Sequence, residues 1–239
     1  NHGLIQVTNR PQWYTVRGGA RQYVRKMLAS IPDARLNSPV RSVRRVPPGS
    51  GPAGVYVSTD AGTERFDDVV LACHSDQSRD ILAQHYPIQS RLLRHMLYQP
   101  NRAVLHSDAS MLPRRKNLWA AWNYQSGQCT LSEQPVSVHY LINRLQPLPT
   151  KMPVIVSLNP LQPPDPALVH GSFHYSHPVF DSQSLSIQRK ITAANGRDRI
   201  WFAGAWLGYG FHEDGLASAL RVALQLDAEL PSQGLAHAA

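Results

Sequence analysis

The feature that most constrains the fold is a segment near the C-terminus, residues 199–218, with the sequence RIWFAGAWLGYGFHEDGLAS. Its apolar run Ile200–Ala203 is followed by closely spaced glycines and then by a helical pattern. This order predicts a buried strand, a glycine-rich turn, and a helix from about Gly215 to Leu230. Because glycine lacks a Cβ, such a turn lets the backbone come close to a bound molecule. The segment therefore predicts a ligand-contacting turn in an α/β fold.

The N-terminal part of the chain also mixes helix and strand patterns. Arg17–Gly19 form a turn that opens a predicted helix over Ala20–Ser30, which ends before Pro32. Further along, alternation and turn residues predict a strand at Pro39–Val46, a hairpin at Gly54–Thr59 and Thr63–Phe66, and a buried strand at Asp67–Ala72 that leads into a helix near Ser75.

The middle of the chain reads differently, because short strand patterns follow one another and prolines cluster between them. The candidate strands are Ala103–His106, Trp119–Tyr124, Val136–Ile142, Val154–Leu158 and Ser172–Tyr175. We predict three parts: residues 1–98 and 179–239 as two halves of one domain, and residues 99–178 as a sheet-rich domain inserted between them. The predicted fold class is α/β, or α+β for the chain as it stands.

Composition narrows the function classes. The apolar runs in this chain of 239 residues are far shorter than the roughly 20 residues that a membrane helix needs, and no signal peptide is visible. The chain begins at Asn1, which indicates that a native start has been lost. Two cysteines, Cys73 and Cys129, form no disulfide framework and fit a cytoplasmic protein.

The distribution of charge along the sequence does not indicate a nucleic-acid partner. The net charge is +8, from 24 Lys and Arg against 16 Asp and Glu, but the basic residues are scattered and form no stripe with interleaved aromatic residues. Peripheral contact with an anionic membrane, or attraction to an anionic cofactor, stays open.

Several segments, in order along almost the whole chain, resemble the FAD-dependent amine-oxidase superfamily. The resemblance is strongest to a bacterial branch described as predicted NAD/FAD-binding oxidoreductases. The segments are Asn1–Leu4, Arg10–Trp13, Val16–Ala20, Asp68–Asp76, Asn101–His106, Met111–Arg114, Trp119–Tyr124, His177–Asp181 and Phe202–Gly215. Each is weak alone, and their shared order is what makes the resemblance specific.

The resemblance implies a discontinuous FAD-binding domain of amine-oxidase type with an inserted sheet-rich substrate domain. The glycine fingerprint that holds the FAD pyrophosphate in this superfamily would lie before Asn1, and no substitute for it occurs in this chain. The chain is thus expected to be the C-terminal portion of a flavoprotein.

The resemblance also assigns cofactor-binding residues. In the superfamily, the strand–turn–helix at the C-terminus approaches the flavin, which implies roles for Gly204 and Ala205 in the turn and for the backbone amides of Asp214, Gly215 and Leu216 at the helix start. A positive helix end and fixed amides would stabilise the negative charge of a reduced flavin. The alternative is an ordinary turn with Asp214 as a helix cap. Val40 is expected to contact the adenine end of FAD through its backbone, or to be a plain edge-strand valine.

Two positions depart from the better-known amine oxidases. Trp206 stands where those enzymes often carry an acidic residue, so a carboxylate hydrogen bond to the cofactor is expected to be absent or supplied elsewhere. His212 stands where monoamine oxidases place an aromatic residue that frames the amine. His212 is therefore either a proton donor or acceptor beside the flavin, and our candidate catalytic residue, or a histidine that caps the turn.

No metal site is expected. His170, His174 and His177 lie in an extended segment, where His177 points away from the other two, and no Glu or Cys completes a ligand set.

The leading hypothesis is a flavin-dependent oxidoreductase that removes hydride from a small-molecule or lipid substrate, either fatty-acyl or amine. Genes of this branch often lie beside genes for cyclopropane-fatty-acid-synthase-like methyltransferases, which favours a fatty-acyl substrate. The alternatives are a truncated, non-catalytic flavoprotein fragment and a protein that binds a lipid or a partner through its middle sheet.

Overall fold

The computed structural model describes Gln12, residues 14–127 and residues 136–226, and it has a mixed α/β fold. Its helices are α1 (Arg21–Ala29), α2 (Ser75–Leu82), α3 (Pro87–Leu93), α4 (Ile142–Leu145), α5 (Ser182–Ala194) and α6 (His212–Gln225). Its strands are β1 (Val40–Arg45), β2 (Val55–Thr59), β3 (Gly62–Phe66), β4 (Val69–Leu71), β5 (Tyr98–His106), β6 (Trp122–Ser126), β7 (Val136–Leu141), β8 (Ile155–Leu158), β9 (Val169–Pro178) and β10 (Ile200–Phe202).

Most elements form where the sequence predicts them, but several boundaries differ, including both ends of β9, which spans Val169–Pro178 rather than Ser172–Tyr175. The last helix begins at His212 rather than Gly215. The predicted strand Trp119–Tyr124 starts at Trp122, because residues 116–118 form a tight helical turn first. Strand β5 extends back to Tyr98. Asn1–Leu4, Cys129 and the predicted helix end at Leu230 lie outside the described residues.

The strands form three sheets. The order is β1-β2-β3 in an antiparallel sheet, β10-β4 in a parallel pair, and β6-β7-β8-β5-β9 in a five-stranded sheet. The pairs β6–β7, β7–β8 and β5–β8 are antiparallel.

The chain divides into two compact units. The first unit comprises the described residues up to Asn37 together with Ala103–Ser172, and the second comprises Ser38–Arg102 together with the described residues from Phe173 onward. The division 1–98, 99–178 and 179–239 stays a prediction from the sequence.

The second unit has a continuous apolar core between the parallel pair and the helices. Apolar residues dominate both parallel strands, as expected where a sheet is covered on its faces. The buried members are Val43, Val55, Leu71, Leu82, Tyr86, Leu93, Met96, Ile187, Ile191, Ile200, Phe202, Trp206 and Leu207. This core fixes the ends of β4 and β10, where the candidate site lies.

The first unit has a smaller apolar cluster, formed by Leu112, Leu141 and Ile155 with Trp119 packed against it. Next to this cluster, the sheet buries an unusual number of polar side chains, including His106, Ser137, His139 and Ser157.

None of the helices in the described part of the chain is both long and apolar enough to cross a lipid bilayer.

Candidate functional site

The candidate site lies at the carboxyl ends of two parallel strands in the second unit. Val69 pairs with Ile200 and Leu71 with Phe202, so β4 and β10 end side by side. The amide of Ala203 donates to the carbonyl of Leu71 at 3.1 Å, which extends the pairing to the strand ends. The loops that leave this edge lead into α2 and α6. In parallel α/β sheets, ligands bind at this edge.

The turn after β10 requires its glycines. Gly204 has φ 151°, a conformation that residues with a side chain rarely adopt, and a Cβ there would lie 2.8 Å from the Trp206 indole. At Gly208, a Cβ would lie 2.5 Å from the Asp214 carboxyl carbon. The amide of Gly204 donates to Ser218 Oγ at 2.8 Å, which ties the turn to α6.

A buried glutamine on α5 also holds this turn in place. Gln188 is 7 % exposed, and its Nε2 donates to the carbonyls of Trp206 at 2.9 Å and Gly208 at 2.7 Å. Both amide hydrogens of Gln188 are thereby used on the short 3₁₀ helix Ala205–Leu207 and the glycine that follows it. These two hydrogen bonds from Gln188, the Gln188 clamp, thus position the turn together with its glycines.

Trp206 joins the two loops of the site. Its Nε1 donates to the carbonyl of Cys73, in the loop after β4, at 3.2 Å. Its ring packs edge-on against Phe202 and is 4 % exposed. Trp206 is therefore a core aromatic that braces the site.

The two loops border a cavity of about 330 Å³. No Asp, Glu, Lys or Arg lines this cavity, and its two histidines are the lining residues that can take up a positive charge. The lining residues are Ala72, Cys73, His74, Gln77, Tyr98, Ser176, His177, Pro178, Gly204, Ala205, Trp206 and Gly210.

An aromatic pair forms one side of this cavity. The rings of His74 and Tyr98 stack with centroids 4.8 Å apart. The Tyr98 hydroxyl oxygen accepts the amide of Ser75, the first residue of α2, at 3.0 Å. Burial raises the pKa of the Tyr98 hydroxyl, although the hydrogen bonds to Ser75 oppose this. Tyr98 therefore stays a neutral phenol that fixes the loop after β4.

His177 offers a defined proton to the cavity. Its Nδ1 lies 2.9 Å from Nδ2 of Asn101, and the same nitrogen donates to the Gln99 carbonyl at 2.8 Å. Because an amide NH₂ can only donate, Nδ1 of His177 accepts, and its proton is on Nε2. Burial lowers the pKa of His177, and the nearby His74 lowers it further. His177 is therefore expected to be neutral near pH 7.

The predicted cofactor residues fall into two groups. Gly204 and Ala205 line the cavity. Asp214, Gly215 and Leu216 lie in the first turns of α6, which begins at His212, so the predicted helix start at about Gly215 is wrong by three residues, while the cofactor role of these residues stays a prediction. The amides of Asp214 and Gly215 donate to the carbonyl of Phe211 at 3.1 and 3.3 Å.

Asp214 acts on the turn through its side chain. Its carboxylate accepts the amides of Tyr209 at 3.0 Å and Phe211 at 2.9 Å, which places a negative charge at the helix start. This is close to the capping alternative considered from the sequence, although Asp214 sits inside the helix and Phe211 precedes it.

His212 and Val40 lie away from the cavity lining. His212 is the first residue of α6 and its side chain is exposed to solvent. Val40 opens β1, where the pairing with β2 is interrupted by a bulge, and its side chain packs against the core of the second unit. The catalytic role of His212 and the cofactor role of Val40 stay predictions.

Sequence reasoning missed His74, Tyr98, His177 and Gln188 as parts of this site. His74 and His177 did carry a signal, since each lies in a segment of the resemblance and His177 was also considered as a metal ligand. Tyr98 and Gln188 lie in segments whose patterns indicate only a strand or a helix.

Within the described residues, no group of three or more His, Cys, Asp or Glu side chains is placed to hold a metal ion. His170, from the histidine-rich segment, instead has its Nε2 within 2.7 Å of Ser107 Oγ.

Comparison with known proteins gives the fold but no family. No protein-family model matches the chain, and no curated protein matches it either. The chain is similar to the solved structure of a protein named "Putative protoporphyrinogen oxidase" from Exiguobacterium sp. 255-15, with 12% identity and a TM-score of 0.57 over 89% of this chain and 52% of that one. It is also similar to a CLA-producing fatty acid isomerase from P. acnes, with 12% identity and a TM-score of 0.54 over the same shares, 89% and 52%.

The chain thus spans about half the length of these two proteins, because the match covers 52% of each of their chains. At this level of identity, the similarity shows a shared fold.

Proposed function

We propose that the chain is part of a flavin-dependent oxidoreductase, with FAD placed at the carboxyl edge of β4 and β10. The observation that carries the proposal is the glycine turn at this edge, where Gly204 and Ala205 present backbone to a cavity. When bound, FAD would supply the redox chemistry by accepting a hydride from the substrate.

The residues present fit the flavin end of such a cofactor. Gly204 brings main chain to the cavity rim without a side chain in the way, and no lysine, arginine or carboxylate lines the cavity to compete for a neutral ring system. Gly204 and Ala205 would hold the ring through their backbone, and the first turns of α6, with Asp214–Leu216, would lie beside it. The backbone of Val40 would meet the adenine.

The cavity favours a fatty-acyl substrate over an amine. A desolvated ammonium group is best balanced by a carboxylate, and none of the lining residues is Asp or Glu. The lining instead offers apolar surface from Tyr98, Trp206 and Pro178. One of the similar structures is named as a fatty acid isomerase, which supports the same choice.

His177 would position or exchange a proton for that substrate. Its Nδ1 is occupied by the Asn101 amide, so Nε2–H is the group that it offers to a bound molecule. Since burial lowers its pKa, His177 would act as a neutral donor.

The test of the proposal is flavin binding. The protein, purified in the full length that its gene encodes, is expected to show the visible absorbance of oxidised flavin, either as isolated or after addition of FAD and removal of the excess. Protein that retains no flavin under either condition would contradict the proposal and direct attention to a lipid-binding or partner-binding role.

Gly215→Ala tests the predicted cofactor residue separately from folding. A Cβ at Gly215 would meet nothing nearer than the Ala205 amide nitrogen at 3.6 Å, an ordinary contact, so the apoprotein should fold normally. If the flavin approaches this turn, the methyl group should weaken FAD binding at least about tenfold, measured by fluorescence titration. Unchanged affinity would remove Gly215 from the site and leave the flavin proposal standing.

The substrate is tested by anaerobic reduction. We expect long-chain fatty-acyl substrates to bleach the bound flavin under anaerobic conditions, and simple alkylamines to leave it oxidised. Bleaching by amines alone would reverse the substrate assignment, and no bleaching across an acyl series would reject it.

A further inference from the structure

A hydrogen-bonded series of buried polar side chains crosses one face of the sheet in the first unit. Ser157 on β8 lies opposite His139 on β7. The Oγ of Ser157 is 2.6 Å from Nδ1 of His139 and 2.7 Å from Nε2 of His106 on β5. All three residues are at most 1 % exposed. Two imidazoles therefore share a single hydroxyl group in the interior.

A backbone amide fixes the direction of the first hydrogen bond in this series. The amide of Asp108 donates to Nδ1 of His106 at 3.1 Å. Because an amide N–H cannot accept, neutral His106 must carry its proton on Nε2 and donate it to Ser157 Oγ. The groups near Nε2 of His139 decide the second bond: both act as acceptors, so the proton of neutral His139 is on Nε2. The one hydroxyl hydrogen of Ser157 is then directed to Nδ1 of His139.

The Nε2–H of His139 faces acceptors only. Gln125 Oε1 lies 3.1 Å away and Ser137 Oγ lies 3.4 Å away. The hydroxyl of Ser137 donates to the carbonyl of Leu158 at 3.0 Å, so towards His139 it can only accept. Gln125 is exposed, which makes its amide oxygen the replaceable partner.

His139 and Gln125 belong to the wall of a cavity of about 270 Å³ within the first unit. Met111, Leu112, Pro113 and Tyr124 supply apolar surface to the same cavity. Among the described residues that line it, none carries an ionised carboxylate, ammonium or guanidinium group. The cavity thus combines an apolar wall with one buried, directed N–H donor.

Both histidines are held in the neutral form. A second proton on His106 would face the Asp108 amide, and a second proton on His139 would face the Ser157 hydroxyl hydrogen. Burial lowers the pKa of His106; the Asp108 carboxylate opposes this, while His139 and His170 add to it. Burial alone lowers the pKa of His139. His139 is therefore a fixed donor rather than a group that exchanges protons.

We propose that this cavity binds an uncharged molecule through a carbonyl oxygen, which accepts the Nε2–H of His139 in place of the Gln125 amide oxygen. A neutral imidazole N–H is well suited to a neutral carbonyl acceptor. A carboxylate would lose its hydration without gaining a cationic partner, which is costly in an interior. This site is separate from the proposed flavin site, and neither proposal depends on the other.

Histidine ¹⁵N NMR of the intact chain tests the proposal. Neutral Nε2–H forms of His106 and His139 are expected to persist at about pH 6, below the ordinary imidazole pKa. Hexanamide should shift the Nε2 resonance of His139 in a saturable manner, whereas hexanoate, which has the same shape but a negative charge, should not. An Nδ1–H form of His139, equal binding of hexanoate, or no response to hexanamide would each overturn the proposal.

Two substitutions sharpen this test. Gln125→Ala removes the competing acceptor from an exposed position, so it should raise the affinity for hexanamide by about fivefold without affecting the fold. Lower or unchanged affinity in this variant would contradict the displacement of Gln125. His139→Phe should abolish binding; if that variant fails to fold, Gln125→Ala and the hexanoate comparison still decide the outcome.

Discussion

Gly204→Ala is expected to lower the free energy of unfolding by about 3 kcal/mol. At φ 151° the backbone of Gly204 occupies a region that L-residues rarely enter. The added Cβ would also lie 2.8 Å from the Trp206 indole, whose Nε1 bonds to the Cys73 carbonyl. The methyl group must therefore either strain the backbone or displace the indole that joins the two loops of the site.

Gly215→Ala is the matched control, since it adds the same methyl group eleven residues later in the same strand–turn–helix segment. Gly215 is helical and its new Cβ would be no nearer than 3.6 Å to any neighbour, so stability should stay the same or rise by about 0.5–1 kcal/mol. Urea unfolding of both variants measures the contrast. Equal stabilities would mean that the turn after β10 is not held as the structure describes.

The strand–turn–helix was predictable because its signals are local. An apolar run, closely spaced glycines and a helical pattern all fall between residues 199 and 226, and the strand Ile200–Phe202 forms where they indicate. The start of the helix was misplaced because Gly215 resembled a turn residue. Physically, the Asp214 carboxylate binds the amides of Tyr209 and Phe211, which organises the chain for helix from His212.

The rest of the candidate site depends on contacts that no local pattern encodes. Tyr98 reaches the start of α2, 23 residues before it, and Asn101 fixes the proton of His177, 76 residues after it. The residues of these pairs lie in separate segments, and no pattern within one segment indicates its contact with the other. Sequence reasoning therefore found the glycine turn and missed the side chains that complete the cavity.

The polar chain in the first unit escaped prediction for a related reason. His139 and Ser157 both occupy strands that the sequence predicts, and alternation alone marks polar strand residues as exposed. The pairing of β7 with β8 places both on a covered face, where His106 joins them. Only the register of three strands converts three ordinary polar residues into a directed hydrogen-bond chain.

The second large effect is expected for Gln188→Met, which should lower the free energy of unfolding by about 2–4 kcal/mol. Methionine keeps the volume of the side chain but donates no hydrogen bond. The carbonyls of Trp206 and Gly208 would each lose the Gln188 amide in a buried or partly buried setting. Leaving buried acceptors without their partner costs more than the hydrogen bonds gain, so the loss should be large for a near-isosteric change.

Gln183→Met on the same helix separates this clamp from any general effect of methionine. Gln183 is exposed and its amide contacts His95 at the surface, so its replacement should change stability by no more than about 0.5 kcal/mol. The two variants also differ in their expected effect on the site. Loss of the clamp should release the turn that holds Gly204 and Ala205, so Gln188→Met should weaken FAD binding under conditions in which the protein is still folded, whereas Gln183→Met should not. A Gln188→Met variant that is as stable as Gln183→Met would show that the turn is held by its glycines and Asp214 alone.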